Sequence, residues 1–209
     1  MRSGISVIVL AAGAGSRFGG GKLLAEYRGR PLIEATLLRL REAPADETIV
    51  VVGNDAEGLR GLCESYGVRL AENPDWAEGM ATSVKEGLAA CSPDADAAVV
   101  VLGDQPLVGA KAVERLVEAY EGGAAVAVAT YGGERRNPAL FTRRMWPMLE
   151  EELSGDEGAR GFLRRHPEMV AEVPCDDVAD PTDVDTVEDL RRLEARGPGK
   201  PMNQKEARR

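Results

Sequence analysis

Residues 5–22 read ISVIVLAAGAGSRFGGGK. The run from Ile5 to Ala12 is rich in β-branched residues and does not alternate with polar ones. That pattern belongs to a strand covered on both faces, and so to a parallel sheet. A glycine-rich loop follows at once. Its glycines let backbone N–H groups approach a polyphosphate closely, and Arg17 and Lys22 are placed to neutralise the charge. The same stretch also reads as a flexible surface loop with two solvated cations. Two familiar phosphate loops do not fit. A Walker A loop would need glycine where Ser16 stands and a hydroxyl where Leu23 stands. A dinucleotide fingerprint begins at Gly13 and Gly15, but Phe18 replaces its last glycine and the loop runs on through Gly19, Gly20 and Gly21, which argues against a dehydrogenase.

Outward from this stretch, short apolar runs alternate with helical patterns. Strands are expected at 48–53, 68–72, 96–103 and 124–130, and helices at 31–42, 56–66, 77–91 and 110–121, where apolar residues recur at three and four. The order β-α-β-α predicts an α/β fold of three layers, a mostly parallel central sheet with helices on both faces. Ligands in such sheets sit beyond the carboxyl ends of the strands. Two motifs fall there, the opening loop and Gly103-Asp104-Gln105-Pro106. Past residue 131 the pattern is less regular, with strands expected at 137–142 and 169–173, helices around RRMWPMLEEEL and EGARGFLRRH, and a closing helix at TVEDLRRLEAR. One domain is expected over residues 1–196. The tail from Gly197 to Arg209 has no apolar periodicity and reads as disordered.

The chain has 209 residues, 44% of them apolar, enough for a sizeable core, and a net charge of −9. That charge argues against nucleic-acid binding, which needs clustered Lys and Arg. The three cysteines, Cys63, Cys91 and Cys175, lack metal-ligand spacing, and the single His166 has no partner for a triad or zinc site. No apolar run of about 18 residues occurs, and the N-terminus enters a strand directly, so the expected setting is soluble and cytoplasmic. Monomer is the default.

LAAGAGSRFGGGK (10–22), NPDWAEGMATSVKEGL (73–88), GDQP (103–106), RNPALF (136–141) and DVDTVEDL (183–190) together resemble, in the same order, the molybdenum cofactor cytidylyltransferases. The resemblance runs to about Arg196. It implies a Rossmann-like nucleotidyltransferase fold and transfer of a nucleoside monophosphate from NTP to a phosphorylated acceptor, with release of pyrophosphate. An acceptor phosphate is already ionised and needs no general base, so the demand is for positioning and charge neutralisation. The cofactor expected is Mg²⁺, which favours one or two carboxylates and phosphate oxygens. Asp104 is the first expected metal ligand. The resemblance makes Asp185 the second, with Asp183 its rival. Each also has a plainer reading: Asp104-Gln105-Pro106 as a turn, and Asp185-Thr186 as a helix N-cap with Glu188 and Asp189 in the first turn.

Within that reading Lys22 and Arg17 contact the polyphosphate, and Lys22 offsets charge developing at the α-phosphate. Leu10, Ala11, Ala12, Gly13 and Gly15 line the nucleotide. The resemblance gives Gly79 and Ser83 a role at the base or ribose, while Asn73-Pro74 reads as the turn that sets up their helix and Trp76 as packing beneath it. Asn137, Pro138 and Arg160 lie where the family approaches its acceptor; the structural role expected of Asn137-Pro138 is a strand-start turn, and Arg160 also reads as a solvated helix arginine.

The family associates LAAG with cytidine transfer and LAGG with guanosine transfer, and this chain has Ala12 at the deciding position. CTP is therefore the favoured donor and molybdopterin the favoured acceptor, with a molybdenum hydroxylase or its maturation factor as a downstream partner. Val187 stands where many relatives have Pro, and Asn137 where some have His or Gly; both departures bear on the acceptor. The alternatives are GTP-dependent guanylyl transfer, transfer to a sugar phosphate or another phosphorylated small molecule, and a nucleotide-binding accessory protein without catalysis.

Overall fold

The computed structural model describes residues 4–196; the tail from Gly197 onward lies outside the described residues. The elements run β1 (Ile5–Ala11), a small hairpin of β2 (Glu26–Tyr27) and β3 (Arg30–Pro31), α1 (Leu32–Leu40), β4 (Glu47–Val52), α2 (Ala56–Ser65), β5 (Arg69–Glu72), α3 (Met80–Ala90) and β6 (Ala97–Leu102). The second half continues with α4 (Ala110–Glu121), β7 (Val126–Tyr131), β8 (Glu134–Thr142), α5 (Trp146–Glu152), α6 (Arg160–Arg165), β9 (Val170–Pro174) and α7 (Val187–Ala195).

Seven strands form one sheet in the order β5-β4-β1-β6-β8-β7-β9. Strand β8 runs antiparallel to both neighbours, and every other pairing is parallel. The mostly parallel expectation therefore holds. The reversal has a local cause: Gly132 and Gly133, with φ of 59° and 81°, connect β7 to β8 as a two-residue hairpin turn that needs left-handed backbone at both positions.

Helices cover both faces, because side chains of β1 alternate between them. Val7 and Val9 pack with Leu37 of α1, Leu59 of α2 and Leu116 of α4. Ile8 and Leu10 pack on the other side with Val84 of α3, Leu149 of α5 and Phe162 of α6. A third cluster seats Leu190 and Leu193 of α7 against Tyr27 and Leu32. Among the described residues no helix is long and apolar enough to cross a membrane.

The path of the chain decides where a ligand fits. From central β1 it moves outward to β4 and β5, then returns across to β6 on the other flank. Helices α1 and α3 thus fall on opposite faces, and a crevice opens beyond the carboxyl end of β1.

One local reading is corrected. Asn137-Pro138 is not a strand-start turn, since β8 begins at Glu134. Val128 pairs with Ala139 while Ala129 pairs with Arg136, so the two residues form a bulge inside the strand, where a proline lacking N–H is tolerated. The hairpin of β2 and β3 was not expected, because two-residue strands carry no periodicity.

Candidate active site

The opening loop is wound upon one atom. The Gly15 carbonyl accepts hydrogen bonds from the N–H groups of Phe18 (2.9 Å), Gly19 (3.1 Å) and Gly20 (3.1 Å). This coil turns the chain back so that Lys22 lies under Gly15; a Cβ on Gly15 would stand 3.0 Å from the Lys22 Cβ. Leu10, Ala11, Ala12, Gly13 and Gly15, with Arg17 and Lys22, form one wall of a cleft of about 580 Å³.

The second wall is the end of β6. The Gly103 N–H donates to the Leu10 carbonyl (2.9 Å), and the buried Thr36 hydroxyl donates to the Gly103 carbonyl (2.9 Å). These bonds fix the turn that presents Asp104 to the cleft. Lys22 Nζ donates to Asp104 Oδ2 at 2.5 Å and to Asp185 Oδ1 at 3.5 Å, and Arg17 pairs with Asp185 Oδ2 at 3.0 Å. The two cations and two carboxylates expected from the sequence thus converge on one point.

Asp185 does not cap α7. Thr186 does: its hydroxyl accepts from the Asp189 N–H (3.1 Å), while the Asp189 carboxylate accepts from the Thr186 N–H (2.9 Å) in a reciprocal capping box. Asp185 is left facing Lys22. Asp183 also lines the cleft, but no cation pairs with it there among the described residues; one of its oxygens accepts from the Gln105 amide at 2.7 Å. Burial, reinforced by the negative charge of Asp104, holds the Asp183 carboxyl above its usual range.

The third wall is the start of α3. Asn73, almost fully buried, donates to the hydroxyls of Thr82 (2.8 Å) and Ser83 (2.9 Å) and accepts from the Asp75 N–H (3.0 Å). Its side chain locks the preceding turn to the helix, as the sequence suggested. Gly79 and Ser83 both line the cleft. Position 79 requires glycine twice over: φ is 115°, and a Cβ would lie 2.6 Å from the Gly155 backbone.

Trp76 does more than pack beneath the helix, since it lines the cleft, as does Asp156. The space for its ring comes from Gly53, where a Cβ would meet Trp76 Cγ at 2.6 Å and the Ala12 carbonyl at 2.8 Å. No local pattern marks Gly53 as the partner of Trp76. Arg160, at the start of α6, lines this cleft and also a second, adjoining cavity of about 240 Å³. The second cavity has an apolar floor that includes Val84, Val100 and Val128, and its rim carries Arg135, Arg136, Asn137 and Arg164. Pro138 is buried in β8 and is not among the residues lining either cavity.

A divalent metal fits this donor set. The Lys22 ammonium already holds the place of a cation between two carboxylates, and the donors are hard oxygens. Among the described residues no group of three or more Asp, Glu, His or Cys side chains could hold a metal by itself. That suits an ion bound by one or two carboxylates that completes its shell with phosphate oxygens and water.

A three-layer α/β sheet with a glycine loop, cations and two aspartates at its switch point has the makings of a nucleotidyltransferase. Residues 7–170 match the MobA-like NTP transferase domain family, and the chain belongs to it. It is an enzyme family of nucleotide transfer to phosphorylated acceptors, usually dependent on a divalent metal. The chain is 34% identical over 197 residues to a protein of Paenarthrobacter nicotinovorans named nicotine blue oxidoreductase, covering 90% of this chain and 96% of that one. Its backbone is similar to that of an Rv0371c homologue from Mycobacterium sp. strain JC1, with a TM-score of 0.83 at 34% identity, covering 94% and 98% of the two chains. It is also similar to Rv0371c of Mycobacterium tuberculosis solved in complex with manganese, with a TM-score of 0.77 at 31% identity, covering 92% and 99%.

Proposed function

We propose that the protein is a magnesium-dependent cytidylyltransferase that transfers CMP from CTP to the phosphate of a molybdopterin-type acceptor and releases pyrophosphate. One observation carries the reading: Arg17, Lys22, Asp104 and Asp185 meet at the mouth of the glycine loop. In the reaction an oxygen of the acceptor phosphate bonds to the α-phosphorus as the bond from that phosphorus to the bridging oxygen breaks. The electron pair leaves with pyrophosphate, and no proton has to move.

The loop from Leu10 to Gly15 holds the nucleotide through its backbone. Lys22 and Arg17 turn from the aspartates to the phosphates and offset the charge that accumulates at the transition state. Asp104 and Asp185, relieved of those cations, would hold Mg²⁺, which when bound would draw charge from the phosphates. Gly79 and Ser83 border the base and ribose. One domain over residues 1–196 carries the whole site.

The second cavity supports the acceptor assignment. Arg160 stands between it and the nucleotide cleft, where an acceptor phosphate would be held beside the α-phosphate. Asn137 borders the acceptor's body. Pro138 bears on the acceptor only through the bulge that places Asn137. Such a product would pass in the cytoplasm to a molybdenum hydroxylase or its maturation factor, a step that co-purification would test.

The test is pyrophosphate release with Mg²⁺, each of the four NTPs and molybdopterin. Release with CTP alone is expected. Release with GTP alone would overturn the base assignment, and failure to bind any magnesium–NTP would overturn the site. Ala12→Gly should move preference towards GTP if the LAAG motif decides the base. The name of the Paenarthrobacter relative supplies a control: redox turnover of nicotine blue should be absent here if the chain is a transferase.

A further inference from the structure

Gln105 is buried to 1% exposure, one of the largest side chains so enclosed, yet it is polar and stands next to a proposed metal ligand. Its amide donates to Asp183 Oδ1 at 2.7 Å and to the Pro181 carbonyl at 3.1 Å. Both acceptors are oxygens, so the amide can face only one way. Its own oxygen is buried without a protein partner among the described residues. A buried amide half satisfied in this way costs stability, so its retention calls for another reason.

The two segments joined by this amide carry the two expected metal ligands. Asp104 precedes Gln105, and Asp185 lies two residues beyond Asp183. The backbone adds a second tie, since the Val184 N–H donates to the Asp104 carbonyl at 3.1 Å. No regular element links the segments, because β6 ends at Leu102 and α7 begins at Val187. The separation of the two carboxylates therefore depends on these few bonds.

We infer that Gln105 and Asp183 form a strut that sets the spacing of Asp104 and Asp185, making both positioning residues for the metal rather than ligands to it. The inference rests on the metal reading of Asp104 and Asp185 given above. The strut needs an oxygen acceptor at position 183 and a donor at 105; it does not need a negative charge. Asp183→Asn keeps the acceptor, whereas Asp183→Ala and Gln105→Met remove one end each. Outer-shell partners of this kind typically change metal affinity about 10- to 100-fold when lost.

The experiment is a titration of the full chain with Mn²⁺, followed by electron paramagnetic resonance, at saturating α,β-methylene-CTP. Turnover of wild type and each variant is measured alongside as a function of metal concentration. Asp104→Asn should abolish tight Mn²⁺ binding. Gln105→Met and Asp183→Ala should weaken it by about tenfold or more, with the lost turnover recovered at high metal. Asp183→Asn should stay within about threefold of wild type. If Asp104→Asn fails while Gln105→Met and Asp183→Ala bind as wild type does, the strut is wrong and the metal site stands. If Asp183→Asn falls as far as Asp104→Asn, Asp183 is itself a ligand and the strut is again wrong. Wild-type binding in Asp104→Asn would bring down the metal reading and the strut with it. Should Gln105→Met not fold, the Asn and Ala variants at position 183 decide the question from the other end.

Discussion

Lys22 and Asp104 are 82 positions apart in the chain, and their charged atoms stand 2.5 Å apart at the centre of the cleft. Each neutralises the other. The pair is mostly shielded from solvent, with 14% and 19% side-chain exposure, so removing one partner leaves a poorly hydrated charge.

Lys22→Met should therefore act in opposite directions on two quantities. Turnover should fall by roughly 100-fold, as when one donor to a developing charge is removed. Divalent-metal affinity without nucleotide should rise, because a competing cation has gone. A calorimetric titration with Mn²⁺ reads the second effect, and unchanged or weaker binding would refute the displacement of Lys22 by metal.

Gly53→Ala tests the proposed nucleotide wall from behind. The new methyl would overlap the Trp76 ring and the Ala12 carbonyl, costing about 1–3 kcal/mol of stability. Trp76 lies in the cleft while Trp146 is buried, with its indole N–H bonded to the Phe141 carbonyl. Nucleotide-dependent fluorescence in the wild type should therefore come from Trp76 and be reduced in the variant, together with a raised KM for NTP.

Arg160→Ala should raise the KM for the acceptor by about tenfold or more, the usual loss for a charged hydrogen bond, and leave the KM for NTP within twofold. A larger effect on NTP would reassign Arg160 to the triphosphate.

Glu47 offers a change in stability remote from the chemistry. It accepts from the Ser6 hydroxyl (2.6 Å), the Ser92 N–H (2.6 Å) and Arg69 (2.6 Å). Burial pushes its carboxyl up, but these donors outweigh burial and hold it below its usual range. A lowered folded-state pKa contributes stability that is present above the unfolded value and is lost as pH falls through the folded one. Glu47→Gln should thus be less stable by about 1–2 kcal/mol at pH 7, with the gap closing under acid conditions and kinetic constants unchanged. Denaturant melts at several pH values would show it, and a gap that persists in acid would refute the assignment.

The parallel strands and the helices between them were legible because strands covered on both faces are written as β-branched runs and helices as a recurrence at three and four. The direction of β8 was not, since alternation reads the same both ways; the Gly132-Gly133 pair was the signal available. The convergence of Arg17, Lys22, Asp104 and Asp185 was legible only through the order of the motifs. Thr186 followed at three by Asp189 already spelled out the cap, and reading it would have freed Asp185 at once. Gln105 was visible inside GDQP, but its partner lies 78 residues away and no local pattern encodes that bond.

The reversed strand carries a consequence for how such a molecule diversifies. Within the sheet, β6 meets the reversed strand β8 along a ladder of four residue pairs. Insertions and substitutions in the hairpin, its bulge and α6 can reshape what enters from that side while the glycine coil and its aspartates keep their register. The seam at β8 is thus a place where a lineage could exchange one substrate for another and inherit its nucleotide chemistry intact.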